Sequence, residues 1–138
     1  MKTKIDIKKI HVLNFFENVT HVKATYCFTY GDFLLFFVNQ KEIKKIKRYH
    51  QEILAKKLGK RIKIIPLPTK KDFNEINKFL KVLDLQKIYK KLILREKELF
   101  FFIPSIKAKA IFFGKNKKKF HQLQEILKNF FGVKIVVK

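Results

Sequence analysis

The chain has 138 residues, 33 of them Lys or Arg and 11 Asp or Glu, for a net charge of +22. Hydrophobic residues make up 47% and include sixteen Phe, enough for a packed core, so a disordered basic tail is excluded. One cysteine rules out a disulfide within the chain, four histidines fall in no metal-ligand spacing, and no apolar run approaches the roughly 18 to 20 residues that span a bilayer.

An excess of cations this large calls for a polyanionic partner, RNA, DNA or an anionic membrane surface, because it otherwise destabilises the compact state by self-repulsion. Met1 to Ile10 alternates lysine with isoleucine and does not form a signal sequence. The expectation is a cytoplasmic monomer without membrane segment, metal or cofactor. Cys27, within TYCFTY, reads as a small buried hydrophobe of a strand.

Ile7, Ile10, Leu13 and Phe16 keep near-helical spacing and predict a first helix from Lys4 that ends near Asn18. Val22 to Tyr30 and Phe33 to Val38 are β-rich runs joined by Gly31-Asp32, the pattern of a tight antiparallel turn. Between Gln40 and Leu58 the spacing turns helical, and Gly59 stops it. Arg61 to Ile65 predicts a short strand that ends at Pro66-Leu67-Pro68.

The order then starts again. Asp72 can cap a helix with the stripe Phe73, Ile76, Phe79 or Leu80, and Leu83. Leu85 to Leu94 and Leu99 to Ile103 predict two strands turning at Glu96-Lys97, with Pro104 closing the second, and Ile106 to Phe113 predicts a short helix. Phe120, Leu123, Ile126, Leu127 and Phe130 mark a longer amphipathic helix, and a β-branched strand follows Gly132.

Residues repeat along with elements. Leu34-Leu35-Phe36-Phe37-Val38 resembles Leu99-Phe100-Phe101-Phe102-Ile103, Gln51-Glu52-Ile53-Leu54 recurs as Gln124-Glu125-Ile126-Leu127, and Leu58-Gly59 recurs as Phe131-Gly132. Three matches in one order indicate duplication, with units over 1–67 and 68–138. Residues 1–66 carry fifteen basic and five acidic side chains and residues 67–138 eighteen and six, so each copy contributes to the positive surface.

Charge gathers at the entrance of the last helix. Gly114, Lys115, Asn116, Lys117 and Lys118 stand where a helix N-terminus offers unpaired N–H groups and partial positive charge, which suits phosphate. The same residues can equally form an ordinary turn and a solvated first helical turn. In the first copy the corresponding basic run includes Lys44, Lys45, Lys47 and Arg48, again either a phosphate contact or a solvated face. Phe100, Phe101 and Phe102 can offer one ring for base stacking, or the alternating rings fill the core on one face and the contact between the two units on the other.

A helix-strand-strand-helix-helix-strand unit with a basic loop at a helix entrance resembles the type II KH domain. Two in tandem resemble the archaeal NusA-like transcription factors, on LNFFENVTHVKATYCF, LGKRIKIIPL and FFGKNKKKFHQLQEILKNFFGVKIVV. The resemblance implies an α+β fold of two small KH-like units, each a three-stranded sheet covered on one face by helices. It also implies that a G-x-x-G loop clamps single-stranded RNA near RNA polymerase. Gly114, Lys115 and Asn116 match the first three loop positions, while Lys117 replaces the second glycine; in the first unit no glycine occurs between Lys41 and Arg48.

No paired carboxylates, nucleophile motif or phosphate-binding glycine loop of the P-loop type stands out, so an enzyme is not expected. The expected function is an RNA-binding elongation or termination factor. The alternatives are a diverged KH module that binds protein and a protein bound to ribosomal RNA.

Overall fold

The computed structural model describes residues 7–138, so the expected start of the first helix at Lys4 lies outside the described residues. The protein is α+β and divides between Leu67 and Pro68 into two compact units, each built on a three-stranded sheet.

In the first unit, helix α1 (Ile7–Thr20) leads into strands β1 (Ala24–Tyr30) and β2 (Phe33–Val38), followed by helix α2 (Arg48–Leu58) and strand β3 (Arg61–Pro66). Strand β2 is central, antiparallel to β1 and parallel to β3. Helix α1 runs two residues past the expected end at Asn18. The Thr20 hydroxyl donates to the Phe16 carbonyl at 2.9 Å and accepts from the Val22 N–H at 3.1 Å, which closes the last turn where His21 takes a left-handed φ of 61°. Gly31, at φ 58°, makes the β1–β2 turn.

The single helical window expected over Gln40 to Leu58 is corrected to two pieces. Asn39 accepts the Lys41 N–H on its side chain at 2.9 Å and the Glu42 N–H on its carbonyl at 2.9 Å, starting a 3₁₀ turn at Ile43–Lys45. Ile46 and Lys47 are extended, and α2 begins anew with the buried His50 accepting the Lys47 N–H on Nδ1 at 2.9 Å. Strand β3 also includes Pro66, opposite Val38, because an edge strand does not need the missing N–H. Phe16 of α1 and Leu54 of α2 pack onto Cys27, Phe36 and Val38 as the core between helices and sheet.

In the second unit, helix α3 (Phe73–Val82) precedes strands β4 (Lys91–Arg95) and β5 (Glu98–Phe102), then helices α4 (Ile106–Phe113) and α5 (Lys118–Phe131) and strand β6 (Lys134–Val137). Strand β5 is central, antiparallel to β4 and parallel to β6. Asp72 Oδ1 accepts the Glu75 N–H at 3.0 Å and caps α3 as expected. Ser105 caps α4 in the same way, its Oγ accepting the Ala108 N–H at 3.0 Å. The strand expected from Leu85 begins instead at Lys91: Asp84 is left-handed at φ 63°, and Leu85, 2% exposed, is buried within a 3₁₀ turn. Phe101 faces α4, its ring 4.9 Å from that of Phe112, while Leu123, Ile126, Leu127 and Phe131 bury the apolar stripe of α5.

No helix among the described residues is long and apolar enough to cross a membrane.

Candidate nucleic-acid interface

The turn between α4 and α5 is built by backbone conformation. The Gly114 N–H closes α4 on the Ala110 carbonyl at 2.9 Å, and Gly114 itself sits at φ 72° and ψ 177°. That region is open to glycine alone, because a Cβ collides with the chain on either side. A Cβ added there would also meet Cγ of Lys119 at 2.8 Å.

A 3₁₀ turn over Lys115–Lys117 follows, held by the Lys117 N–H donating to the Gly114 carbonyl at 3.1 Å. Asn116 (φ 55°, ψ 28°) and Lys117 (φ 60°, ψ 22°) are both left-handed, and Lys118 (φ −63°, ψ −45°) returns to the right-handed helix. A left-handed residue followed by a right-handed one turns successive N–H groups toward a common point, the concavity that holds anions in nests. Lys117 thus holds a left-handed backbone of the kind glycine favours.

Lys115, Asn116, Lys117 and Lys118 are all exposed. The Lys117 ammonium lies 5.8 Å from the centroid of the Phe113 ring. From the turn an open groove of about 680 Å³ runs along the polar face of α5, lined by Lys115, Asn116, Lys118, His121, Gln122 and Glu125. His121, Gln122 and Glu125 extend the expected site. Their spacing from Lys118, opposite the stripe of Leu123 and Ile126, is the sequence signal that marks them.

The first unit is different. Lys44 and Lys45 lie in the 3₁₀ turn, Lys47 precedes α2 and Arg48 begins it, all exposed. No residue between Asp32 and Leu58 has a positive φ, so no glycine-like backbone stands at this helix entrance. Lys45 is also paired with Glu42, Nζ to Oε2 at 3.0 Å. The four cations form an exposed basic run with no backbone cradle.

No group of three or more His, Cys, Asp or Glu side chains that could hold a metal occurs among the described residues. Burial pushes the Cys27 thiol up to about 11, only partly opposed by Lys9, so the thiol stays protonated at neutral pH.

No family model and no curated protein matches the chain. Among solved structures, the crystal structure of APE1850 is similar over 97% of this chain and 100% of that one, with a TM-score of 0.59 and 22% sequence identity. The likeness is one of fold.

Proposed function

We propose that the chain is a non-enzymatic RNA-binding protein that acts as an elongation or termination factor, in the manner of the archaeal NusA-like proteins it resembles. Single-stranded RNA is held at the α4–α5 turn, with the protein a cytoplasmic monomer working beside RNA polymerase. The observation that carries this reading is the backbone of Gly114, Asn116 and Lys117, three positive-φ residues at the entrance of a fourteen-residue helix, with Lys115, Lys117 and Lys118 exposed around them. Phosphates approach the backbone there, lysines neutralise them, and the first N–H groups of α5 face the anion.

The basic run of the first unit extends the electrostatic track without clamping it. A second reading, a KH-like module that binds protein, is favoured by that unit's loop, which has no positive-φ residue, and by the Lys45–Glu42 pair.

Fluorescence anisotropy of a labelled single-stranded decamer tests the first reading. Gly114→Ala leaves the charge unchanged and should weaken binding about tenfold with the salt dependence preserved. Lys115→Gln with Lys118→Gln should lower the slope of log affinity against log salt by roughly 0.7 for each phosphate that is no longer neutralised. Equal binding by wild type and Gly114→Ala would sink the clamp and leave diffuse attraction. Absence of binding at low salt would favour the protein-binding module.

A further inference from the structure

Consecutive residues of a strand take opposite faces, so the three rings of β5 are divided. Phe101 is fully buried against Phe112, whereas Phe100 and Phe102 lie on the face of the sheet away from α4 and are only half-buried. The ladders set their neighbours. Lys91 stands opposite Phe102, Ile93 and Val136 flank Phe100, and the next row is Arg95, Glu98 and Lys134. Lys138 continues the ladder past β6, its N–H donating to the Phe101 carbonyl at 2.9 Å.

An apolar floor of Ile93, Phe100, Phe102 and Val136 is thus framed by four exposed cations, Lys91, Arg95, Lys134 and Lys138, against the single acid Glu98. Two of the cations lie over the rings, Lys91 Nζ 5.9 Å from the Phe102 centroid and Lys138 Nζ 5.8 Å from that of Phe100. The repeat supplies an internal comparison. Leu35 and Phe37, which align with Phe100 and Phe102, are 0% exposed, and their face carries Tyr26, Phe28 and Tyr30 on β1 where the second sheet has Lys91, Ile93 and Arg95, while on β3 Lys63 and Arg61 stand where β6 has Val136 and Lys134. In the first copy the two central side chains are closed off and the cations Arg61 and Lys63 gather at the Phe33 end; in the second the two central rings are half-buried, with cations along both edge strands.

We propose that this face of the β4–β5–β6 sheet is a second seat for single-stranded RNA, with bases stacked on Phe100 and Phe102 and the four cations on the phosphates. The proposal rests on the reading of the chain as RNA-binding and adds a site to the α4–α5 turn. The two rings, two residues apart in one strand, are about 7 Å apart and leave room for one base each. Cation–ring distances near 6 Å are at the outer limit of that interaction, so little is lost when the lysines move to phosphate oxygens, which are stronger charge-assisted partners. An acidic peptide would satisfy the cations and leave the rings without stacking partners.

The test uses the full chain and a single-stranded decamer carrying 2-aminopurine, whose fluorescence falls on stacking against a ring. Phe100→Leu with Phe102→Leu keeps the face apolar and removes the rings. Affinity should fall roughly five- to thirtyfold with loss of quenching and an unchanged salt slope. Phe102→Tyr should keep both signals, and Lys91→Gln with Lys134→Gln should lower the salt slope by about 1.4, about 0.7 for each phosphate no longer neutralised. If the leucine pair binds and quenches like wild type while Gly114→Ala does not, the sheet seat is overturned and the turn stands. If wild type binds no RNA, both fall. Should the leucine pair fail to fold, 4-thiouridine cross-links on wild type decide: cross-links within 91–102 support the seat, and cross-links confined to 114–122 overturn it.

Discussion

Lys117 occupies a backbone conformation, φ 60° and ψ 22°, that disfavours any side chain with a Cβ by about 1 kcal/mol. Lys117→Gly should therefore hold or raise stability by up to about 1 kcal/mol in urea denaturation. Gly114→Ala should lose about 1 to 3 kcal/mol, because φ 72° with ψ 177° excludes alanine. Opposite outcomes would mean that the turn relaxes and is no rigid clamp. At Cys27, burial raises the folded-state pKa from the ordinary 9.0 to about 11. The folded state then holds its proton more tightly than the unfolded chain, so this contribution is complete below about pH 9 and is lost as pH rises through about 11. Denaturation at about pH 8 and about pH 10.5 should show a smaller alkaline loss in Cys27→Val than in wild type, by up to roughly 2 kcal/mol.

Gln124 ties two elements together. Its Nε2 donates to the Val133 carbonyl at 3.0 Å and its Oε1 accepts the Ile135 N–H at 2.8 Å, so one amide side chain on α5 sets the start of β6. Gln124→Ala leaves both backbone groups without that partner in a half-buried place and should cost about 1 to 3 kcal/mol. Hydrogen exchange should quicken at Ile135 before it does at the centre of α5; uniform exchange would show that β6 is held by its ladder alone. Gln51, which occupies the repeated position, makes no such bond between α2 and β3 among the described residues. The repeat preserved the residue without preserving its bond. Among the elements, α5 was legible from its stripe, as were the hairpins from Gly31-Asp32 and Glu96-Lys97. The break at Ile46-Lys47 was not, because it depends on the Asn39 turn and on the burial of His50, neither of which leaves a mark in hydrophobic spacing.

For the whole molecule, +22 sets two opposed responses to salt. Repulsion among exposed lysines destabilises the compact state, so urea denaturation should show stability rising between about 0.05 and about 0.5 M salt as the charges are screened. RNA affinity should fall over the same range as counterion release weakens. A stability that falls with salt would imply that attractive pairs outweigh repulsion, although the ion pairs Lys45–Glu42, Lys78–Glu75 and Lys87–Asp84 each expose their lysine.

Periodicity and the repeat by themselves determined the order of helices and strands and the division into two units, since both follow from local spacing. They also placed Gly114, Lys115, Asn116 and Lys117 at a helix entrance. Only the tertiary structure decided that Lys117 keeps a glycine-like backbone while the first unit's loop does not, because φ depends on how the flanking helices meet the turn and not on residue type alone. It also decided which rings of Phe100-Phe101-Phe102 face the core, because strand parity is anchored by Phe112 and by the registers with β4 and β6.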